Sequence, residues 1–151
     1  MKVTGLITEY NPFHSGHQYH MDEARRLTGA DAILVVMSGD FVQRGLPAIT
    51  DKYSRPRMAL PAGADAVIEL PLAAATGSAE YFASGAVQTL NACGCVTDLV
   101  YGCECDPPEL LTPIARLLSE EPDSFRATLL ENLRSGLSYP AARSLAIQKI
   151  L

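Results

Sequence analysis

The sequence has no apolar run of the length that a membrane-spanning helix requires, so a protein that spans a membrane is not expected. It also has no excess of positive charge, because 12 lysines and arginines stand against 17 acidic residues, a net charge of −5. This balance argues against a chain-wide basic surface for nucleic acid but leaves room for a local basic patch. The first residues show no signal-peptide layout, so we expect a cytoplasmic protein.

Cysteine is sparse in a composition that is otherwise typical of a globular domain, with 48% hydrophobic and 19% charged residues. Two Cys-x-Cys pairs, Cys93 with Cys95 and Cys103 with Cys105, flank a predicted strand. Disulfides are not expected in a reducing compartment, and zinc sites more often separate their ligands by two to four residues. We predict buried thiols that bind no metal; a four-thiolate metal site is the alternative.

Apolar segments alternate with amphipathic ones along most of the chain. Residues 32–37 are all apolar, as expected of a strand that is covered on both faces of a parallel sheet. We predict strands at residues 2–8, 32–37, 66–70 and 98–101, and helices at residues 15–28, 52–62 and 78–91. This order predicts an α/β fold with a Rossmann-like open parallel sheet at residues 1–105.

A helical segment is predicted at residues 106–151. The sequence Asp106-Pro107-Pro108-Glu109 is typical of the start of a helix, with proline in the first turn. A last helix begins near Ser138 and reaches Leu151 without a stop signal. We therefore expect the protein to continue into a further C-terminal part.

The three histidines of the chain, His14, His17 and His20, lie within seven residues of one another. They follow the first predicted strand, at the edge where open parallel sheets bind ligands. Ser15 and Gln18 predict a helix cap there, which would place His17 beside unpaired N–H groups and the positive end of the helix dipole. Such a position favours phosphate. A purely structural role is the alternative, and His20 is equally well explained as a core residue.

Nucleotidyl transfer is the chemistry that fits this arrangement. A nucleophile would attack the α-phosphate of ATP and pyrophosphate would leave, so negative charge develops on the nonbridging and leaving oxygens. Fixed hydrogen-bond donors stabilise that charge, and histidine donates hydrogen bonds and becomes cationic among phosphates. We therefore predict His14 and His17 as catalytic residues of an ATP site.

A second polar stretch, residues 38–47, follows the second predicted strand and ends at the same edge of the sheet. Here we predict that Asp40 is catalytic and either holds Mg²⁺ or orients the acceptor. Four cations in or near this stretch form a basic patch against one acid, Asp51. They are Arg44, Lys52, Arg55 and Arg57. We interpret the patch as an RNA-binding surface; a solvated loop and helix face is the alternative.

Two positions on the later strands also carry predictions. Glu69 lies in an apolar strand and needs a partner, for which Lys52 or Arg57 is suited. Gly102 ends the fourth predicted strand and indicates either a close approach of ligand to the backbone or a simple turn.

Several motifs together resemble one known family. They are Gly5-Leu6-Ile7-Thr8-Glu9-Tyr10-Asn11-Pro12-Phe13-His14-Ser15-Gly16-His17, Met37-Ser38-Gly39-Asp40-Phe41-Val42-Gln43-Arg44-Gly45, Asp51-Lys52, Ile68-Glu69-Leu70-Pro71 and Ser78-Ala79-Glu80-Tyr81-Phe82-Ala83. His-x-Gly-His alone resembles the HxGH nucleotidyltransferase-like superfamily. With the other motifs, residues 3–102 resemble the tRNA(Met) cytidine acetate ligase family, and residues 138–143 extend the resemblance.

This resemblance implies an enzyme that uses ATP to activate acetate as acetyl-adenylate and then acetylates the wobble cytidine of elongator tRNA(Met). ATP and Mg²⁺ are the implied cofactors, and acetate and tRNA the implied partners. The implied ATP-binding residues are Ile7, Thr8, Glu9, Tyr10, Asn11, Pro12, Phe13, His14, Ser15, Gly16, His17, Gln18, Tyr19, His20 and Gly102. The family is longer than this chain, and we expect a Ser-Glu pair in it where Cys103-Glu104-Cys105 stands here.

Two other functions stay open at this point. Another HxGH adenylyltransferase would use the same ATP site with a phosphorylated small molecule as acceptor. A non-catalytic module that binds nucleotide or RNA would bind ATP without turnover.

Overall fold

A computed structural model describes residues 1–103 and 108–151 of the chain. The chain divides into two compact units, Met1–Gly102 and Cys103–Leu151. The part of the predicted helix start that falls on Asp106 and Pro107 lies outside the described residues. Within the described ranges, no helix combines the length and the apolar character that crossing a membrane would require.

The first unit alternates strands and helices around one parallel sheet. Its elements are β1 (Val3–Thr8), α1 (Ser15–Thr28), β2 (Ala32–Ser38), a 3₁₀ turn (Gln43–Gly45), α2 (Ser54–Ala59), β3 (Ala66–Leu70), α3 (Leu72–Ala75), α4 (Ala79–Ala92) and β4 (Asp98–Leu99). The strands pair in parallel in the order β3-β2-β1-β4. The predicted Rossmann-like open parallel sheet is therefore confirmed.

The packing of β2 explains why residues 32–37 are all apolar. Val35 belongs to a buried cluster that includes Met21 of α1, on one face of the sheet. Val36 belongs to a second cluster that includes Leu90 of α4, on the other face. Because successive side chains of a strand point to opposite faces, a strand with helices on both sides buries its side chains on both faces, which favours the apolar residues 32–37.

The ends of α1 and α2 show how local hydrogen bonds set element length. α1 stops as predicted, because Gly29 adopts φ 65° and its N–H donates to the carbonyl of Arg25 at 2.9 Å. α2 is shorter than predicted. Asp51 Oδ1 accepts the N–H groups of Tyr53 and Ser54, both at 2.9 Å, so residues 51–53 form a turn that precedes the helix.

The prediction of buried cysteines is wrong where the structure describes them. Cys93 and Cys95 are exposed in the turn that joins α4 to β4, and Cys103 is exposed beyond β4. Side chains in a turn at the end of a sheet stay in contact with water. A longer strand would have buried them. Cys105 lies outside the described residues, and in the described part no three His, Cys, Asp or Glu side chains group as metal ligands.

The second unit is helical. A 3₁₀ turn (Pro108–Leu110) leads into α5 (Leu111–Glu120), α6 (Asp123–Arg134) and α7 (Tyr139–Ile150). Its core contains Leu117, Phe125 and Ala146, one from each helix. The Asn132 amide donates to the carbonyl of Ala142 at 3.0 Å and thereby links α6 to α7.

Candidate active site

The first turn of α1 is capped by two histidines. His14 is the N-cap residue, and its Nδ1 accepts the N–H of Gly16 at 3.1 Å. In return, Nδ1 of His17 accepts the N–H of His14 at 3.2 Å, which completes a capping box. The predicted cap of Ser15 with Gln18 is therefore wrong by one residue, because the imidazole nitrogens supply the acceptors.

This capping decides which ring nitrogen of each histidine carries the proton. Because both Nδ1 atoms accept backbone hydrogen bonds, the hydrogen of each neutral ring is on Nε2. The rings of His14 and His17 stack, with centroids 3.7 Å apart and 27° between their planes. The two stacked rings therefore carry two Nε2–H donors at the N-terminus of α1, which is the positive end of the helix dipole. This arrangement is suited to binding an anion.

Gly16 allows the histidine rings to stack. A Cβ at this position would lie 3.0 Å from Cε1 and 3.2 Å from Nδ1 of His14. These distances are shorter than the 3.5–4.0 Å at which packed carbon atoms rest, so the ring would have to move. The glycine between the two histidines therefore lets the first ring keep its position, which a larger residue would shift by a few tenths of an ångström.

Tyr10 holds the ring of His17 from the protein side. The tyrosine is 1% exposed, and its ring centroid lies 4.8 Å from that of His17 and 4.9 Å from that of Phe13. Burial raises the pKa of Tyr10 to about 12, so its phenol is neutral at physiological pH. Of the predicted ATP-binding segment, Tyr10 thus forms buried support, whereas Ser15 and Tyr19 are exposed.

The two later histidines are neutral at pH 7. Burial lowers the pKa of His17, and the charges of His14 and His20 lower it further. Burial also lowers the pKa of His20, which lies half-buried one turn further along α1. Since the ordinary pKa of histidine is about 6.5, both rings lack a charge at neutral pH. A bound polyphosphate would reverse this shift, because an anion stabilises the imidazolium form.

Glu9 and Asn11 anchor a second loop, which we call the 40–53 loop after its residues. Oε1 of Glu9 accepts the N–H of Gln43 at 2.8 Å, and Oδ1 of Asn11 accepts the N–H of Ile49 at 2.7 Å. Glu9 and Asn11 were both predicted to bind ATP. In the structure their side chains join two loops. Sequence reasoning missed this role because the partners are 34 and 38 residues away.

Asp40 and Lys52 meet within the 40–53 loop. Oδ1 of Asp40 accepts the backbone N–H of Lys52 at 3.1 Å. The Lys52 ammonium lies 3.0 Å from both carboxylate oxygens of Glu69, which confirms the predicted pairing of that glutamate with Lys52. The paired lysine contributes less positive charge to the predicted basic patch.

The prediction that Arg55 belongs to an exposed basic patch is wrong. Its side chain is completely buried, because Arg55 and Ala59 share the inner face of α2, where Ala59 is also buried. Its guanidinium donates to the carbonyl of Glu9 at 2.6 Å and to the carbonyl of Gly39. Burial lowers the pKa of Arg55, and four nearby carboxylates act in the opposite direction. Arg44 and Arg57 remain exposed.

The whole chain, residues 1–151, matches the family described as HIGH Nucleotidyl Transferase. The chain belongs to this family. Among its relatives is a tRNA(Met) cytidine acetate ligase of Acetivibrio thermocellus, 56% identical over 149 residues that cover 99% of this chain and 36% of that protein. A protein of the same name from Clostridium perfringens is 48% identical over 151 residues, or 100% of this chain and 38% of the relative.

Solved structures resemble this chain closely. The crystal structure of Thermotoga maritima TmcAL bound with alpha-thio ATP is 49% identical in sequence and superposes with a TM-score of 0.94. The match covers 99% of this chain and 36% of that one. The chain therefore spans little more than a third of the length of the proteins it matches.

Gly102 follows the carboxyl end of β4, at the same edge of the sheet as the end of β1, where the histidine loop begins. It follows Leu99, which pairs with Gly5 of β1, by three residues. Among the described residues, no atom would lie within 4 Å of a Cβ added at Gly102. No neighbour in the described part of the chain therefore requires glycine at this position, which is exposed.

The described residues do not form a metal site made of protein ligands alone. One oxygen of Asp40 is bonded to the backbone of Lys52, and no group of three candidate ligands is found in the described part of the chain. Mg²⁺ in nucleotide enzymes is held by one or two carboxylates together with the phosphates of the substrate. A Mg²⁺ ion bound here would therefore need the phosphates of the substrate as further ligands.

Proposed function

We propose that this protein binds ATP over the N-terminus of α1 and activates acetate as acetyl-adenylate, the first half of tRNA(Met) cytidine acetylation. The observation that carries this proposal is the pair of Nε2–H donors of His14 and His17 at that helix terminus. Relatives named tRNA(Met) cytidine acetate ligase and a neighbour crystallised with alpha-thio ATP support it.

The first chemical step is a substitution at the α-phosphorus. A carboxylate oxygen of acetate attacks, the bond to the bridging oxygen of the β-phosphate breaks, and pyrophosphate leaves with that bonding pair. Negative charge grows on the nonbridging and leaving oxygens, where His14 and His17 would donate through Nε2–H. Losing one such donor typically costs about 10²–10³ in rate.

The second step transfers the acetyl group. The exocyclic amine of the wobble cytidine attacks the acetyl carbonyl, AMP leaves, and the amine gives up a proton. We propose that Asp40 orients the acceptor, since the hydrogen bond from Lys52 holds its carboxylate in the loop that is bonded to Glu9 and Asn11. Mg²⁺ is assigned no step, and it would be held by the phosphate oxygens of ATP.

The remaining predicted ATP contacts fall into two groups in this proposal. Exposed positions, among them Ser15 and Gly16, would approach ATP directly. Tyr10, Glu9 and Asn11 would act through the residues that they hold. Gly102 would admit the nucleotide on the side of β4.

We propose the outer surface of the 40–53 loop as the contact with tRNA. Arg44 is exposed on it, and so are the aromatic rings of Phe41 and Tyr53, 44% and 69% exposed. Unstacked bases of single-stranded RNA stack on aromatic side chains, and cations bind phosphates. Arg57 extends the surface along α2. A tRNA substrate implies a cytoplasmic protein.

Acetate-dependent exchange of labelled pyrophosphate into ATP tests the first half of the proposal in the intact protein. The expected result is exchange with acetate and none without it. If exchange requires a phosphorylated small molecule, that molecule is the nucleophile in place of acetate. If the protein binds ATP but catalyses no exchange, it is a non-catalytic module. For the second half, mass spectrometry of elongator tRNA(Met) nucleosides from a strain lacking the gene should show that acetylcytidine is lost.

A further inference from the structure

Arg55 joins the ends of the two central strands. Glu9, whose carbonyl accepts one hydrogen bond from the guanidinium, directly follows β1. Gly39, whose carbonyl accepts another, directly follows β2, and the hydroxyl of Ser38 lies 3.4 Å from the same side chain. The loop that carries the histidines starts at the end of β1, and the 40–53 loop starts at the end of β2.

The chemistry of this arginine is unusual for a core position. A buried cation is unfavourable unless it is well hydrogen-bonded, and apolar residues often replace buried ionic groups without loss of stability. Among the described residues Arg55 has no carboxylate within ion-pair distance, and Asp40, Glu9, Asp51 and Glu69 act on it from further away. What it supplies is geometry, because the planar fork of a guanidinium reaches two carbonyls at a fixed separation.

We propose that Arg55 is a positioning residue that fixes the histidine loop relative to the 40–53 loop, so that the carboxylate of acetate meets the α-phosphorus of ATP in line. The kinetic part of this inference rests on the proposed function. The same two loops are also joined by the Glu9–Gln43 and Asn11–Ile49 bonds, whose geometry depends on the strand ends that Arg55 holds.

The test is the Arg55→Lys variant of the intact protein, which keeps the charge but has one donor atom in place of the fork. We expect the Kd for ATP to stay within about 3-fold, because the histidine cap is intact. We expect kcat for acetate-dependent pyrophosphate exchange, per ATP-binding site, to fall about 10²-fold, the typical effect of a misplacement of about 1 Å. The matched control is Arg26→Lys, at an exposed arginine that pairs with Glu23 on α1, and it should change neither quantity.

A purely structural role for Arg55 predicts another result. The fraction of protein that binds ATP would fall while kcat per binding site stayed at the wild-type value, and this would overturn the proposal. Amide hydrogen exchange gives a readout that does not depend on the reaction. The N–H groups of Gln43 and Ile49 should exchange at least 10-fold faster in Arg55→Lys, with α4 unchanged, and unchanged rates would overturn the proposal even if acetate is not the substrate.

If Arg55→Lys does not fold, Ser38→Ala decides. This variant keeps the arginine and removes one of its three oxygen partners at little steric cost. Faster exchange of the Gln43 and Ile49 amides, with a fall in kcat of about 3-fold at unchanged ATP affinity, supports the proposal. Wild-type exchange rates in this variant overturn it.

Discussion

At the scale of single residues, the two ring nitrogens of each capping histidine have different roles. Nδ1 of His14 and Nδ1 of His17 bond the backbone of the first turn of α1, which leaves Nε2–H of each ring for a ligand. The stacking of the rings and the buried Tyr10 then fix where those donors lie. Cap and ligand site are therefore one structure, and a substitution can separate the two roles.

His14→Asn should keep the cap and lose the donor. Asparagine is among the best N-cap residues, so we expect the free energy of unfolding to stay within about 0.5 kcal/mol of wild type. Acetate-dependent pyrophosphate exchange should fall about 10²–10³-fold, since an amide at this position does not reach where Nε2 was. His14→Ala is the control: it should lose a similar rate and also about 1 kcal/mol of stability. Wild-type exchange in the asparagine variant would contradict the role of Nε2.

Protonation of the histidines should make stability depend on pH. The pKa values of folded His17 and His20 lie below the value of about 6.5 expected in the unfolded chain, so the unfolded state binds more protons in that window. The free energy of unfolding should therefore be highest above pH 6.5 and decrease as the pH falls below it. Urea denaturation at pH 7.5, 6.5 and 5.5 measures this, above the range where carboxylates titrate. A flat profile, or an equal slope in His17→Asn, would contradict the assignment.

At the scale of elements, the sequence predicted what depends on local pattern. β2 follows from an uninterrupted apolar run, and the stop of α1 follows from Gly29. The sequence did not predict the role of Arg55. A cation in a charged stretch is expected to be exposed unless the start of α2, which Asp51 sets, is known. The anchoring by Glu9 and Asn11 depends on partners more than thirty residues away, which no local pattern contains.

The contact between α3 and α4 depends on a glycine. A Cβ at Gly85 would lie 2.4 Å from Cβ of Ala74, which neither helix can avoid without moving. Gly85→Ala would gain about 1 kcal/mol of helix propensity. Overpacking of this kind costs about 1–3 kcal/mol, so we expect a net loss of stability in urea denaturation. Ala74→Gly in the double variant should restore much of that loss, whereas strictly additive effects would contradict the collision.

At the scale of the whole molecule, an acidic chain with a net charge of −5 has to meet a polyanion in the proposed reaction. Long-range attraction then depends on where cations are exposed near the site. With Arg55 buried and Lys52 paired with Glu69, the exposed cations left from the predicted patch are Arg44 and Arg57. The tRNA contact proposed for the 40–53 loop thus combines few charges with exposed aromatic rings, and its binding should depend only weakly on salt.

This balance gives a quantitative prediction for tRNA binding. Each phosphate contact that is removed should reduce the slope of log K against log salt concentration by about 1 and weaken binding at low salt. We expect Arg44→Ala and Arg57→Ala each to do so in filter binding of elongator tRNA(Met) across a potassium chloride series. Arg26→Ala, which removes an exposed arginine paired with Glu23, is the matched control for net charge alone. If it lowers the slope as much as Arg44→Ala, the effect is that of total charge, and the 40–53 loop is not the tRNA contact.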